Sequence, residues 1–235
     1  MLALSDVHSH YGLSHILQGV SLSVNPGEVL GIFGRNGVGK TTLIKTIARW
    51  VNISSGSIRL GDTEIAGLPP ERVCRLGVGL VPEDRRIFPG LTVEENLRLG
   101  LMQAPRRARP RAAEALERAY GRFPRLAQRR RQMGTTLSGG EQQMLSIARV
   151  LVGEPRLLLV DEPTEGLAPM IVDEIFQLLV ELRREGIPIV LVEQNVLRAL
   201  EVCDRFCAIE RGRVVLEGDA RSEADRRRLI EAIAV

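Results

Sequence analysis

Three segments of this chain carry side chains whose types and spacing suit the binding and cleavage of a phosphate chain. The first is residues 34–41, a glycine-rich loop that fits the pattern G-x-x-x-x-G-K-[ST] and ends in Lys40 and Thr41. Glycines let successive backbone N–H groups point at one anion, and the helix that follows such a loop offers its positive N-terminus. We therefore predict a triphosphate site here, with Lys40 on the phosphates and the Thr41 hydroxyl on Mg²⁺.

The second segment places two adjacent carboxylates after an apolar run. Residues 157–160 are all apolar, and Asp161 and Glu162 follow directly. We expect Asp161, at the carboxyl end of a buried strand beside the glycine loop, to help organise the Mg²⁺ ion. Glu162 projects in a different direction, so it is our candidate for the general base that faces an attacking water.

The third segment is residues 137–143, Leu-Ser-Gly-Gly-Glu-Gln-Gln. Ser138 and Glu141 have the spacing of a capping box, in which each side chain bonds the other's backbone N–H at a helix start. Taken alone, this segment is consistent with plain helix initiation. The two glycines between them, however, weaken a helix start by about 1 kcal/mol each relative to alanine. Their lack of side chains is explained if a phosphate approaches the helix N-terminus closely.

The elements that position these segments are those of an α/β protein. Apolar runs predict strands at residues 2–7, 20–24, 29–33, 56–62, 78–81, 157–160 and 187–192, and a hairpin at 205–209 and 213–217. Helical spacing follows the glycine loop at 41–49 and returns at 171–185, and a basic helix ends the chain. The continuous apolar runs are typical of strands buried on both faces of a parallel sheet. Residues 91–152 lack strand signals, which predicts an inserted helical subdomain.

Composition narrows the classes of partner. The net charge of +3 is too small to indicate nucleic acid. Arginines are concentrated in one segment, where a solvated face is the simplest interpretation and contact with lipid or a partner is the alternative: Arg106, Arg107, Arg109, Arg111, Arg118, Arg122, Arg125, Arg129, Arg130 and Arg131. No signal peptide and no apolar window of about 18 residues is visible, so we expect a cytoplasmic protein.

In this order and spacing, the three segments resemble the ATP-binding cassette family. Kinases, GTPases and helicases share the glycine loop and the acidic strand end, but they lack residues 137–143 upstream of it. The resemblance extends from residue 2 to about 218. It implies a P-loop fold with a mixed core sheet and an N-terminal antiparallel β subdomain, built from residues 1–90 and 153–235. Residues 91–152 would be the inserted helical subdomain.

The resemblance also implies ATP and Mg²⁺ as cofactors, with ATP hydrolysis as the activity. The residues expected to contact nucleotide are Tyr11, Gly34, Arg35, Asn36, Gly37, Val38, Gly39, Lys40, Thr41, Thr42, Ser138, Gly139 and Gly140. The expected metal ligands are Thr41, Glu83 and Asp161, and the catalytic side chains are Lys40, Glu162 and Gln194. Tyr11 would stack on adenine, and packing, the commoner role of a lone tyrosine, is the alternative.

Two positions depart from the family pattern. Glu83 stands where a glutamine normally senses Mg²⁺ and couples to the membrane subunits. A carboxylate there can still face a metal ion, but it repels phosphate when Mg²⁺ is absent. Gln194 replaces the usual switch histidine after the last core strand. A glutamine can hydrogen-bond a γ-phosphate but carries no proton at neutral pH, which leaves Glu162 as the candidate base.

The chain resembles the ATPase subunits of branched-chain amino-acid importers at residues 81–83, 85–89, 91–97, 137–144, 166–169 and 191–195. It resembles the urea importer ATPases, which are close rivals, at residues 11–17 and 34–40. The resemblance implies a head-to-tail dimer with a second, homologous ATPase subunit or with another copy of this chain. It also implies two integral membrane permeases, an external solute-binding protein, and a peripheral location on the cytoplasmic face of the inner or plasma membrane. Soluble ATPases of this family and exporter ATPases are the alternatives from other classes.

The three histidines, His8, His10 and His15, cluster in sequence near Tyr11. The sequence shows no additional metal-ligand partners for them, and it favours surface or packing roles.

Overall fold

The computed structural model describes residues 1–103 and 112–234. Of the arginines in the predicted solvated segment, Arg106, Arg107, Arg109 and Arg111 therefore lie outside the described residues. Arg118, Arg122, Arg125 and Arg129 are described, and each pairs with a glutamate. Four of the six described arginines of this segment are thus held by ion pairs, and the other two, Arg130 and Arg131, are exposed.

Two sheets organise the strands. Sheet A is antiparallel with strand order β2-β1-β4-β5, and sheet B has the order β10-β9-β3-β8-β7-β6. In sheet B, neighbouring strands from β6 to β9 run parallel, and β10 is antiparallel to β9. The strands are β1 (Leu2–Tyr11), β2 (Ser14–Val24), β3 (Val29–Phe33), β4 (Ile53–Leu60), β5 (Thr63–Glu64), β6 (Val78–Val81), β7 (Leu157–Asp161), β8 (Ile189–Val192), β9 (Arg205–Glu210) and β10 (Arg213–Asp219).

The helices surround sheet B and supply the insertion. They are α1 (Lys40–Ile47), α2 (Pro70–Arg75), α3 (Val93–Gln103), α4 (Ala112–Arg122), α5 (Pro124–Gln128), α6 (Gly139–Leu151), α7 (Pro169–Arg184), α8 (Val196–Val202) and α9 (Glu223–Ala234). The described part of residues 91–152 holds α3 to α6 and a short 3₁₀ turn, Gly134–Thr136, and it holds no named strand. The predicted α/β class, with a mixed core sheet, an antiparallel sheet and a helical insertion, is confirmed.

Sheet B lies between two hydrophobic clusters. Strands β3, β7 and β8 are buried at every position. Leu158 and Val160 of β7 pack with the inserted helices and α7, whereas Leu157 and Leu159 pack with sheet A and α1. Each fully buried side chain of this size contributes about 1.5–3 kcal/mol to the stability of the folded state. This two-sided burial explains why the core strands are continuous apolar runs. It also confines polar residues to the ends of these strands.

The sequence prediction was wrong in detail at the β1–β2 hairpin. Both strands extend further towards the connecting turn than the predicted 2–7 and 20–24. Register shifts between Leu4 and Val7 and again near His8 break the period-two pattern, so alternation gives no strand signal there. Helices α2 and α8 were also missed, because six or seven residues are too few to show helical periodicity.

Candidate nucleotide site

The glycine loop connects the end of β3 to the start of α1. Gly34 has a φ of 147°, and a Cβ there would lie 2.3 Å from the carbonyl oxygen of Ile209, so only glycine fits. Gly39 has a φ of 112° and is the N-cap of α1, which begins at Lys40. The loop thus presents backbone N–H groups and a helix N-terminus at one place, and residues 35–37 are exposed.

Lys40 is folded back over this loop. Its side chain is 4 % exposed, and Nζ donates to the carbonyl oxygens of Gly34 and Arg35, both at 2.9 Å. Nζ also lies 3.9 Å from Oε1 of Glu162. Burial lowers the pKa of Lys40, and the carboxylates of Glu162 and Asp161 oppose that shift. The ammonium group is therefore held within the loop that the sequence assigns to phosphate.

Thr41 and Asp161 meet as predicted for a shared metal site. The Thr41 hydroxyl donates to Oδ1 of Asp161 at 3.1 Å. Burial raises the pKa of Asp161 to about 6; the Thr41 hydrogen bond lowers it, and the nearby Glu162 and Glu83 carboxylates raise it further. A hydroxyl and a carboxylate are the hard oxygen donors that Mg²⁺ prefers, and positive charge here would relieve the buried carboxylate.

The raised pKa of Asp161 predicts a stability effect. Its native pKa of about 6 lies above the ordinary value of 3.8, so the native state takes up this proton first. The contribution of the protonated Asp161 carboxyl to the free energy of unfolding is therefore complete below about pH 4 and is lost as the pH rises through 6. At pH 8, in the absence of nucleotide and Mg²⁺, the free energy of unfolding of Asp161→Asn should exceed that of the wild type by about 1–3 kcal/mol.

Denaturant titrations at pH 4, 6 and 8 would measure this difference, which should shrink towards pH 4. Asp62→Asn, at an exposed aspartate, is the control and should change little at any pH. Equal stability of Asp161→Asn and the wild type at pH 8 would show that the carboxylate carries no such penalty.

Glu162 follows β7 in a strained conformation. Its φ is 45°, a region that residues with a side chain rarely adopt, and it is 7 % exposed. The backbone N–H of Glu162 donates to Val192 at the end of β8, and its Oε2 accepts from Nε2 of Gln194 at 2.5 Å. Strain of this kind persists only where the surroundings hold it, and it clusters at functional sites. The structure thus brings together the predicted base and the predicted switch residue.

Glu83 faces two other glutamates rather than a neutral site. One carboxylate oxygen each of Glu83, Glu162 and Glu165 lies within 4.8 Å of the others. Burial raises the pKa of Glu83, and the charges of Glu162 and Glu165 raise it further. Glu165 was not among the predicted site residues, and its signal was only a carboxylate four residues after Asp161. The trio concentrates negative charge beside the Thr41–Asp161 pair.

The Ser138 segment starts α6 with the capping box that was predicted. Ser138 Oγ accepts from the Glu141 N–H at 3.3 Å, and Glu141 Oε2 accepts from the Ser138 N–H at 3.0 Å. The nearest atoms around Gly139 and Gly140 belong to Arg85 and Ile171, not to the glycine loop. A Cβ on Gly140 would lie 2.9 Å from Ile171, so this glycine has a packing reason as well as the predicted phosphate reason.

Tyr11 ends β1 and leaves a large ring surface open. Its residue is 49 % exposed, and it pairs with Ser14 across the hairpin turn. The exposed part of Tyr11 leaves room for the predicted stacking on adenine, which stays a prediction. Asn36, Val38 and Thr42, the other predicted contacts, lie on the loop or on the first turn of α1.

Glu193 is a buried carboxylate that the sequence prediction missed. It is 3 % exposed, and its Oε1 accepts from the Thr164 hydroxyl at 2.7 Å and from the Thr164 N–H at 3.2 Å. Its Oε2 accepts from the N–H of Gln194 at 3.1 Å. Burial raises the pKa of Glu193, and these hydrogen bonds oppose the shift. The available signal was a carboxylate directly after the apolar run of β8.

Arg149 holds the loop after β6 in place. Arg85 and Arg86 both have left-handed backbone, with φ of 56° and 46°. Arg149 donates to the carbonyl oxygens of both, at 3.1 Å and 2.7 Å, from inside the helical insertion. The loop that carries Glu83 is therefore fixed by α6 as well as by sheet B.

The site combines the glycine loop, the acidic end of β7 and the capped helix α6. This combination defines an ATP-binding cassette, and the chain belongs to the ABC transporter family. The profile of that family, described as ABC transporter, matches residues 17–165. The predicted family resemblance is thereby confirmed. Among the described residues, no helix combines the length and the apolar character needed to cross a membrane.

Within the family, several named proteins are similar to this chain over nearly its whole length. The chain is 43% identical to the high-affinity branched-chain amino acid transport ATP-binding protein BraG of Pseudomonas aeruginosa, over 92% of this chain and 91% of the relative. It is 36% identical to the probable branched-chain amino acid transport ATP-binding protein LivF of Archaeoglobus fulgidus, over 94% and 92%. The lipopolysaccharide export system ATP-binding protein LptB of Escherichia coli is 33% identical, over 92% and 90%.

Solved structures give the same family. A structure described as the ATP-binding subunit of an ABC transporter superimposes with a TM-score of 0.85 at 28% identity, over 100% of this chain and 95% of that one. Another cassette is described as a dimer in a post-hydrolysis state bound to ADP and Pi. It has a TM-score of 0.82 at 27% identity, over 94% of this chain and 100% of that one.

Proposed function

We propose that this chain binds and hydrolyses ATP to power an importer of branched-chain or other hydrophobic amino acids. The observation that carries the hydrolytic part is the strained, buried Glu162, held by Gln194 and set 3.9 Å from the Lys40 ammonium. The solute class rests on the 43% identity to BraG across nearly the whole chain. We also propose that the chain is a single cassette, in which residues 91–152 form a helical subdomain and residues 1–90 and 153–235 form the rest.

ATP would lie along the loop that joins β3 to α1. The Tyr11 ring would stack on adenine, and the backbone N–H groups of residues 34–42 would surround the phosphates. Lys40 would exchange its two carbonyl partners for phosphate oxygens, which are stronger acceptors for a charged donor. Thr41 and Asp161 would hold Mg²⁺, which when bound neutralises charge on the β- and γ-phosphates, with Glu83 facing the same region.

Glu162 would accept the proton of the water that attacks the γ-phosphorus, while the bond from that phosphorus to the β–γ bridging oxygen breaks and ADP leaves. Gln194 donates to Oε2 of Glu162, so it orients that carboxylate and leaves its second oxygen for water. Gln194 cannot take the proton itself, because an amide does not titrate near neutral pH. Glu193 acts one step further out, because it holds the backbone of Gln194 in place.

The second half of each site would come from a partner cassette. Ser138 is exposed and caps a helix whose N-terminus points a positive dipole outward. In a head-to-tail dimer, Ser138, Gly139 and Gly140 would contact the γ-phosphate held by the other subunit. A homologous ATPase or a second copy of this chain can serve, since each chain carries both halves. The solved relative described as dimeric supports the formation of a dimer.

Contact with the membrane subunits would use a cleft beside the loop that carries Glu83. The cleft has a volume of about 580 Å³ and is lined by exposed Trp50, Phe88 and Met102. The guanidinium groups of Arg86 and Arg149 lie over the Trp50 and Phe88 rings, at 4.9 Å and 5.0 Å. An exposed apolar surface with fixed aromatic anchors suits a protein partner.

By family resemblance, the chain would lie peripherally at the cytoplasmic face of the membrane, under two permeases that receive solute from an external binding protein. Because Glu83 and Phe88 belong to one loop, force at the cleft would reach the nucleotide site directly. The exporter alternative has support from the 33% identity to LptB, and urea import remains the alternative within the importers.

Uptake of labelled leucine and labelled urea by cells with and without this gene tests the proposal. Loss of leucine uptake alone, restored by the wild-type gene but not by Lys40→Ala, is the expected result. Loss of urea uptake alone would replace the amino-acid assignment and leave the ATPase mechanism intact. If neither uptake depends on the gene, the import proposal is wrong, and a defect in lipopolysaccharide export would favour the exporter class.

A further inference from the structure

All three histidines of the chain meet on one patch of the β1–β2 hairpin. His10 of β1 and His15 of β2 are direct cross-strand partners, and their rings stack with centroids 4.2 Å apart and planes 7° apart. The His8 ring lies 5.1 Å from that of His15. A chain that places its whole complement of imidazoles at one surface position concentrates there the side chain that most often ligates metals.

Two of these rings already face each other through their nitrogens. Nδ1 of His8 lies 3.0 Å from Nε2 of His15. Two imidazole nitrogens bound to one tetrahedral metal ion at about 2.0–2.1 Å are separated by roughly 3.3 Å. The pair therefore has the spacing of a chelate, within a few tenths of an ångström. The two nitrogens are hydrogen-bonded at this distance, so binding of an ion moves the His15 proton from Nε2 to Nδ1 of the same ring.

Asp6 gives His8 the orientation that a metal ligand requires. Nε2 of His8 lies 3.2 Å from Oδ1 of Asp6. When a carboxylate accepts the proton of one ring nitrogen, the other nitrogen carries the lone pair, and here that nitrogen is the one that faces His15. Metal-ligating histidines almost always have such an outer carboxylate or carbonyl.

Gly19 leaves the space in which Asp6 and His8 meet. A Cβ at Gly19 would lie 2.9 Å from Oδ1 of Asp6 and 3.5 Å from Nε2 of His8. The β2 strand thus carries its one residue without a side chain at the point where the carboxylate and the imidazole need room.

The surroundings leave the ligand set accessible. His10 and His15 are exposed, so an ion and its waters can reach them. The stacked His10 can turn about its side-chain bonds to bring a third nitrogen to the pair, because exposed side chains change rotamer readily.

We propose that His8 and His15 chelate a divalent transition metal ion, with His10 as the third ligand and Asp6 orienting His8. Imidazole ligands select Zn²⁺, Cu²⁺ or Ni²⁺ rather than Mg²⁺, so this site is chemically distinct from the one at Thr41 and Asp161. The ion ties β1 to β2 beside Tyr11. This inference does not depend on the proposed ATPase function.

Titration calorimetry of the full-length protein with Ni²⁺ tests the site, with millimolar Mg²⁺ present to occupy the carboxylates. One ion per chain should bind with micromolar affinity. His8→Gln and His15→Gln should each weaken binding at least 10-fold. Asp6→Asn should weaken it about 10- to 100-fold, because it keeps the shape and the left-handed backbone preference but removes the carboxylate. Ser14→Ala, in the same hairpin, is the matched control and should bind as the wild type does.

Electron paramagnetic resonance with Cu²⁺ counts the ligands. Nitrogen hyperfine structure from three imidazoles is expected in the wild type and from two in His10→Gln. Unchanged melting of each variant in EDTA shows that the fold is intact. No saturable binding in the wild type below about 100 μM, or binding that survives His8→Gln and His15→Gln, would overturn the proposal. An unchanged spectrum in His10→Gln would remove His10 from the ligand set.

Discussion

Glu162→Gln is expected to bind ATP with nearly wild-type affinity and to hydrolyse it about 10²- to 10⁴-fold more slowly, the usual contribution of a positioned general base. The amide keeps the size of the side chain and can still meet Nε2 of Gln194 through its oxygen, but it cannot accept the proton of water. Because ATP is bound and not consumed, the variant should also accumulate as an ATP-bound dimer. Steady-state phosphate release and size-exclusion chromatography with ATP measure the two effects.

Glu165→Gln is the matched control for this prediction. Glu165 belongs to the same acidic trio as Glu162, so its replacement makes an equal change in local charge. It has no hydrogen bond to Gln194 among the described contacts, and its turnover should stay within about 3-fold of the wild type. If Glu162→Gln turns over at the wild-type rate, or if both variants lose activity equally, Glu162 is not the base.

Lys40→Ala should lose MgATP affinity by about 100-fold or more. Its ammonium group is the only full positive charge that the described contacts place on the carbonyls of Gly34 and Arg35, and hydrogen bonds from a charged donor to phosphate are worth about 1.5–3 kcal/mol each. The truncation also leaves the buried Glu162 carboxylate without its cation at 3.9 Å. Fluorescent-nucleotide titration with and without Mg²⁺ measures the loss.

Lys45→Ala controls for the removal of a positive charge from the same helix. Lys45 lies in the last turn of α1 and makes no hydrogen bond to the glycine loop in the described structure. We expect its nucleotide affinity to change by no more than about 3-fold. Equal losses in the two variants would mean that general charge, rather than the position of Lys40, determines binding.

The core of this site could be predicted from the sequence because its segments are local and strongly patterned. Gly34, Gly39 and Lys40 form one loop within seven residues, and the runs before Asp161 and Glu193 are apolar at every position. Parallel strands buried on both faces leave no alternation to misread, and their carboxyl ends meet at one edge of the sheet. The contact between Thr41 and Asp161 follows from that topology.

The remaining contacts depend on distances that the chain order does not encode. Glu165 lies close to Glu83 and Glu162 through the path of the loop after β7, which the sequence does not reveal. A Cβ on Gly140 would lie 2.9 Å from the side chain of Ile171, which is distant in sequence. The hairpin that carries His8 and His15 was predicted as two short strands, so the approach of the two rings could not be foreseen.

The buried carboxylate of Glu193 has a mechanical consequence for the two loops that it joins. It bonds Thr164 in the loop after β7 and Gln194 in the loop after β8, so neither loop can open without leaving a buried charged acceptor short of donors. That penalty is about 1–3 kcal/mol, enough to make the two loops open and close as a single unit. Because Glu193 couples the two loops, Glu162 and the Thr164 turn would change position together, in one conformational event in each catalytic cycle.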